Sequence, residues 1–440
     1  MCRRLAAWIG AKIRRVSYQR PGLSGAFVAL EHKSFRLFFL STVVSGVGGQ
    51  MQQVTNLWQV YALTGSAVHL GFTGLARAVA IILFSLAGGV IADRFNRKRI
   101  IVFAQGFNGL IAITLAALTV TEQVQVWHIY AATFLNASMM ATSNPARRAV
   151  IAGLVPRHHL VNALALNAII HQLDRIVAPS IAGVLIAVIG MPLSYAVNGS
   201  AHLVTAVLLC FLALGALPVR VHLSPFRSLL EGLAFIRMRN IILILLLTDS
   251  VAMLFGSYPV ILPILAGQFE VGPAGYGLLA SAPAIGGFLG AVTVMSLGDF
   301  PYKGRLIGGA ILAYAGFLIM LGLAPTFGFA FAAAVGLGLT DSMQAAPRNA
   351  VIQLLSPDEL RGRVSSFQSM LAAGVPGLGQ GLMGVAAGTL TAPVALVAGA
   401  LICAAINAGI ITRRADLRDR DLGIPREATA APQHVPFGVA

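Results

Sequence analysis

Charge is what this sequence has least of. Only 10% of its 440 residues are Asp, Glu, Lys or Arg, where soluble domains carry roughly 25%. A chain that is 57% hydrophobic cannot cover itself with a water-facing surface, so its bulk must face lipid. Cysteine is nearly absent as well: Cys2, Cys210 and Cys403 are the only three, and the last two lie inside apolar runs. No disulfide framework and no zinc-ligand spacing follows from them. There is no Gly-rich phosphate loop ending in Lys-Ser/Thr, no His-Glu-x-x-His, and no polar domain to host hydrolysis. The chain is therefore not read as an enzyme. No metal or cofactor is expected, and ATP-driven work would need another subunit. A cleaved secretory signal is also missing from the first twenty residues, which contain no apolar core of the required length.

What the chain does have is long apolar runs. Twelve can be marked, at roughly 36–62, 69–92, 99–120, 124–146, 161–188, 192–217, 240–266, 274–297, 305–324, 327–346, 364–388 and 391–412. Each reaches the ~20 residues that a spanning helix needs. Gly and Pro recur inside them, as membrane helices tolerate. The expected fold class is an all-α membrane protein of twelve transmembrane helices.

The formal net charge of +16 suggests nucleic acid at first sight, but the basic residues do not gather on one soluble domain. All of them except Arg77 and Arg175 fall in the N-terminal segment, the even-numbered links or the tail, and the odd-numbered links hold none. That is a topology signal. By the positive-inside rule both termini are cytoplasmic, and the protein is expected to be multi-pass in the plasma (inner) membrane. No nucleic-acid partner is expected; lipid is the solvent and a small molecule the expected partner, with the chain a monomer.

The sequence also repeats itself. PARRAVIAGLVPRHHL (Pro145 to Leu160) and APRNAVIQLLSPDEL (Ala346 to Leu360) match with an offset of 201, pairing Arg147 with Arg348 and Pro156 with Pro357. This divides the chain into a basic segment 1–34, a six-helix bundle 35–217, a link 218–239 with a surface helix near 226–237, a second bundle 240–412, and a charged, Ala- and Pro-rich tail 413–440 expected to be disordered. Leu5, Ile9, Ile13 and Val16 share one helical face, which fits either an interfacial anchor helix or an unstructured start.

The most compressed charge lies in GGVIADRFNRKRI (Gly88 to Ile100), between the second and third apolar runs. Two long helices joined by so short a link form an antiparallel hairpin with the link in water. Gly88 and Gly89 allow close helix approach. Asp93 sits at a helix carboxyl end, where the macrodipole disfavours an anion, so it needs a partner; Arg97 is four residues on, in reach if the turn stays helical. Gly89, Asp93, Arg94, Arg97 and Lys98 resemble the signature loop of the major facilitator superfamily, with Asn96 where glycine is usual. Asn tolerates the left-handed conformation that glycine would supply. The resemblance implies two six-helix bundles in parallel repeat and a loop that latches the cytoplasmic side through Asp93, Arg94 and Arg97.

Few ionisable residues lie within the apolar runs: Arg77, Asp174, Arg175, Asp249 and Asp341. Such groups are costly in a bilayer and usually line a cavity or relay protons. Arg77, Asp174 and Arg175 carry both signs within one half, so a packing ion pair is an equal reading. Asp249 and Asp341 have no basic residue near mid-membrane in their half, and a carboxylate without a partner favours its protonated form. Both are candidates for proton coupling, the alternative being a neutral acid bonded to a backbone carbonyl; Asp341 can also reach Arg348, two turns on. His171 shares a face with Asp174 and Arg175 and is either a proton relay or a structural histidine.

Ser45, Gly49, Gln52, Asn56 and Gln59 form a polar stripe on the first helix, and Thr133, Asn136 and Asn144 lie on the fourth. They are read as cavity-lining groups or as interhelical hydrogen bonds. Trp58, Phe72, Phe255 and Tyr258 are either cavity walls or packing. Pro179 and Gly183 belong to a segment that resembles the Gly-Pro-x-x-Gly-Gly stretch of superfamily antiporters, with two glycines replaced by alanine.

Four stretches narrow the resemblance: Leu63 to Val79, Asn144 to Pro156, Leu166 to Gly183 and Ser356 to Phe367. They are similar to the transmembrane secretion effector branch, which includes the enterobactin-exporter-like and macrolide-efflux-like carriers. The resemblance implies export of a small amphipathic molecule, a drug or a siderophore-like metabolite, by alternating access coupled to proton antiport. The proton gradient is then the energy source. A lysophospholipid flippase of the same fold and a non-transporting membrane receptor or scaffold are the alternatives.

Overall fold

The computed structural model describes residues 27–212, 225–298 and 300–414. The expectations for the basic N-terminal segment and for the charged tail fall outside them almost entirely. Thirteen α-helices are present among the described residues. In chain order they are α1 (Lys33–Thr64), α2 (Ala67–Arg94), α3 (Arg97–Val120), α4 (Val126–Leu154), α5 (Leu160–Cys210), α6 (Pro225–Met238), α7 (Asn240–Phe255), α8 (Leu262–Gln268), α9 (Gly272–Leu297), α10 (Lys303–Gly322), α11 (Phe327–Leu355), α12 (Asp358–Thr389) and α13 (Ala392–Arg413).

These give twelve crossings. α5 supplies the fifth and sixth, because the chain folds back at Gly190, whose φ of +80° is costly for any residue with a Cβ. Pro192 sits just beyond the turn. The seventh crossing is α7 followed by α8, and here the expected continuous helix breaks. Pro259 has no N–H to give a helix, and Tyr314 of α10 donates to the Gly256 carbonyl at 2.8 Å, satisfying one acceptor that the break releases. α6 is the expected link helix and meets α7 at 106°.

Seven helices are long and apolar enough to cross a membrane on composition alone: α2, α3, α5, α9, α10, α12 and α13. The crossings that fall short are α1, α4, α7–α8 and α11, the same two positions in each half. The polar residues of α1, α4 and α11 need partners that lipid cannot give, so these helices turn inward; α7 is apolar and falls short by its length of 16 residues.

The two halves meet along α2–α12 and α5–α9. Both seams bring backbone to backbone. A Cβ at Gly71 would lie 2.9 Å from the Gly384 Cα, and one at Gly183 would lie 2.8 Å from the Gly277 Cα. With no side chain at these points the helices approach closely, as small-residue membrane interfaces do.

The apolar core divides by side. Away from the termini it is one cluster that draws on both halves, with Leu57, Leu70, Ile186 and Tyr195 packed with Leu262, Leu265, Tyr276 and Met383. Trp58 stacks on Tyr276 there at 5.6 Å between centroids. On the side of the termini there are two separate clusters. One is centred on Phe35, Phe38, Ile101 and Leu209, the other on Ile242, Leu245, Ile311 and Val351. The bundles are thus fused at one end and parted at the other.

Candidate functional site: a polar cavity and a buried charge cluster

A cavity of about 630 Å³ lies on the parted side of the fused core. It is bounded by α1–α4, by both limbs of α5 and by Gln380 of α12. Helical spacing explains the wall: Ser45, Gly49, Gln52 and Asn56 recur every three or four residues along α1 and so share a face. Arg77, Asn136, His171, Asp174 and Arg175 also line it, with Thr133 and Asn144. Of the two readings for the aromatic side chains, packing holds: none of Trp58, Phe72, Phe255 and Tyr258 lines the cavity, and Phe72 packs edge-on against Tyr130.

The stripe amides divide into two groups. Asn56 donates to Thr133 at 3.1 Å, Gln52 donates to Asn56 at 3.3 Å, and Asn198 donates to Gln52. The buried Tyr195 hydroxyl serves Asn56 Oδ1 at 2.9 Å and Gln59 Oε1 at 2.8 Å. Gln59 is bonded further to Thr119 at 2.9 Å and does not face the cavity, so its side chain joins helices. The Oδ1 atoms of Asn108 and Asn136 are buried without a hydrogen-bond partner, as is Asp174 Oδ2. Arg77 donates to Gln53 at 2.5 Å. The packing ion pair that is one of the two readings for Asp174 is not among the described ion pairs.

In the second half one expectation is overturned. Asp249 has a basic partner: Arg348 forms a buried ion pair with it. Gln344 donates to Asp249 Oδ1 at 3.3 Å and to Asp341 Oδ1 at 3.2 Å, and accepts from Arg348 at 3.0 Å. Two carboxylates, one guanidinium and one amide therefore share a site between α7 and α11. The pairing arises because α11 runs through Pro347 to Leu355, carrying Arg348 one turn below Gln344 instead of into a link.

The charged loop between α2 and α3 is also rearranged. α2 ends at Arg94 and α3 starts at Arg97, so the helical turn that would join Asp93 to Arg97 is absent; the Asp93 side chain lies outside the described residues. Asn96 is not left-handed. At φ −62° and ψ 115° it caps α3, accepting from the Lys98 and Arg99 amides, the strong local role of Asn at a helix start. Lys98 Nζ donates to the carbonyls of Cys210 and Leu212 at 2.7 and 2.8 Å, a cation on the orphan carbonyls at the end of α5. Gly88 does meet α4 closely, since a Cβ there would lie 2.6 Å from the Ala141 carbonyl oxygen, but a Cβ at Gly89 would meet nothing within 4 Å. Pro179 and Gly183 lie on the α5–α9 seam, not in the cavity.

Gln380, His202, Gln105, Asn108, Arg147 and Arg148 line the cavity without having been singled out as site residues. The signal for Arg147 was present, in its repeat match to Arg348.

The comparisons fit this architecture. Two relatives named "Enterobactin exporter EntS" are 26% identical: one from Shigella boydii over 371 residues and one from Escherichia coli O1:K1 / APEC over 372. Each alignment covers 83% of this chain and 87% of the relative. Among solved structures, a bacterial homologue of the human lysosomal transporter Spinster, inward-facing and unoccupied, superposes with a TM-score of 0.71 at 14% identity. It covers 91% of this chain and 98% of that one. A D-xylose–proton symporter gives 0.65 at 13% identity, covering 86% and 96%. The likeness to these structures establishes the major facilitator fold. Residues 24–435 match the family described as transmembrane secretion effector, and the chain belongs to that family.

Proposed function

We propose that this chain is a proton-coupled exporter of small amphipathic molecules, working by alternating access. The observation that carries the reading is the divided core. Bundles fused on one side and parted on the other, with a polar cavity walled by the first bundle and Gln380 on the parted side, describe one of the two end states that alternation needs. The basic links assign the parted side to the cytoplasm, which makes the cavity cytoplasm-facing and ready to load. The names of the two relatives support export of a metabolite, in a bacterial inner membrane.

The Asp249–Arg348–Gln344–Asp341 cluster suits the coupling step. With both carboxylates ionised it carries a net charge of −1; one proton brings it to neutrality. A proton arriving from outside would loosen the ion pair between α7 and α11, and its release inward would restore it. Asp174 and His171 face the cavity and are the candidates for passing the proton on. Asp93, Arg94 and Arg97 would close the cytoplasmic side when the cavity turns outward.

Efflux from energised cells, measured with and without a protonophore, tests the coupling. The expected result is loss of uphill efflux when the gradient collapses. Asp249→Asn should abolish gradient-driven efflux while exchange continues. Efflux indifferent to the gradient, or uphill efflux by the Asn variant, removes the proposed coupling.

A further inference from the structure

The cavity wall has an unbalanced charge that the transport reading does not use. Four guanidinium groups line it, from Arg77 on α2, Arg147 and Arg148 on α4, and Arg175 on α5. Among the described residues of the wall only one carboxylate answers them, Asp174. The formal excess is three positive charges, with His171 and His202 counted as neutral. Arg77 and Arg175 both reach the cavity from neighbouring walls. Among the described residues Arg77 hydrogen-bonds to a neutral amide, Gln53.

The second half handles the same problem differently. Arg348, the repeat counterpart of Arg147, is neutralised by Asp249. The surplus therefore belongs to the cavity and not to the fold as a whole. Like charges converging from three helices are unfavourable without a counter-charge, and an arginine is always charged.

The rest of the wall agrees. It is rich in amides and hydroxyls that can take the neutral part of a polar ligand, and among the described residues of the wall Phe38 is the only Phe, Tyr or Trp. A site for organic cations needs carboxylates or an aromatic cage, and this one has neither beyond Asp174 and Phe38.

From this we infer that the cavity selects an organic anion, a molecule bearing a carboxylate or phosphate that Arg77 and Arg175 hold together with Arg147 or Arg148. Planar guanidinium groups match both oxyanions in geometry. The inference rests on the exporter reading for the cavity being a substrate site, but the charge preference can be measured without transport.

The test is calorimetric binding to the full-length protein in non-ionic detergent, with 4-phenylbutyrate, 4-phenylbutyramide and 4-phenylbutylamine as probes of one shape and three charges. The carboxylate should bind at least about tenfold tighter than the amide, and the amine more weakly than either. The preference should shrink as ionic strength approaches 1 M, where the screening length is about 3 Å. Arg77→Gln and Arg175→Gln should each reduce the carboxylate-to-amide ratio, while Arg77→Lys keeps part of it. Because the probe series and the salt titration use the wild-type chain, they decide the matter even where a variant does not fold.

Equal binding of carboxylate and amide, tightest binding of the amine, or no carboxylate binding would overturn the inference. Competition by lysophosphatidylglycerol against lysophosphatidylcholine locates the source of the anion. Displacement of the carboxylate by the first alone assigns a lipid-borne phosphate, displacement by neither a soluble anion, and equal displacement by both removes charge selection. Charge-blind binding by a protein that still exports would cancel this inference and leave the exporter reading. Anion-selective binding without efflux would do the reverse.

Discussion

Arg348 and Asp249 meet as a buried ion pair across α11 and α7, joining crossings ten and seven of the second half. Removing one partner of such a pair leaves an uncompensated charge and costs about 3–5 kcal/mol. Arg348→Gln and Asp249→Asn should each lower the unfolding temperature in detergent, and the double variant should lose less than the two added together. A double-mutant cycle with no coupling energy would mean that the two groups do not interact in the folded protein.

The α5–α9 seam predicts a steric effect with an internal control. Gly183→Val would push a side chain into the Gly277 backbone and the Pro273 carbonyl, an overpacking that typically costs about 1–3 kcal/mol. Gly89→Ala faces open space and should lose no stability, gaining up to about 1 kcal/mol of helix propensity. Thermal unfolding of both variants checks the contrast; equal effects would refute the seam.

Lys98 is predicted to hold the end of α5. Lys98→Ala frees the Cys210 and Leu212 carbonyls, each loss on the order of 1 kcal/mol at a partly exposed site. Hydrogen exchange of the amides at 206–212 should accelerate, with little change in the neighbouring α4. Unaltered exchange there would show that the cap is not formed in the membrane.

Tyr195→Phe removes a hydroxyl that serves two buried amides, Asn56 and Gln59. Leaving a buried acceptor unpaired costs about 1–3 kcal/mol. A matching loss of stability is expected, with the ring packing kept; a neutral result would mean that water fills the gap.

Orientation is open to direct labelling. In a variant with the three native cysteines replaced, Phe95→Cys should resist a membrane-impermeant thiol reagent in intact cells and react in lysed ones. Gln123→Cys, on the opposite face, should react from outside. The reverse pattern would invert the topology and the direction of transport with it.

Much of the fold was legible because lipid imposes a simple rule: apolar runs long enough to span, and basic links kept on one side. The site was harder to read. The fourth apolar run closes at 146 and the tenth at 346, just before Arg147 and Arg348. In the structure α4 and α11 continue through Pro145 and Pro347, since neighbouring helices and polar side chains can satisfy the backbone groups that a proline frees. That extension places Arg147 in the cavity and brings Arg348 to Asp249, neither of which a short helix permits. The stripe on α1 was visible as helical spacing. The division of its amides between cavity and packing was not, because it depends on Tyr195 and Asn198, well over a hundred positions away. Asn96 shows the limit of motif reading: its tolerance of the left-handed conformation explains nothing here, where it is a cap in extended backbone.

The glycine seams have a mechanical consequence. Where Gly71 meets Gly384 and Gly183 meets Gly277, backbone lies on backbone, and the side chains that cross the seams, Gln380 against Gly74 and Gln172 on the Ala284 carbonyl, flank these points instead of filling them. In the proposed alternation these two points would serve as bearings that define an axle, and bulk added there should seize rotation between the halves.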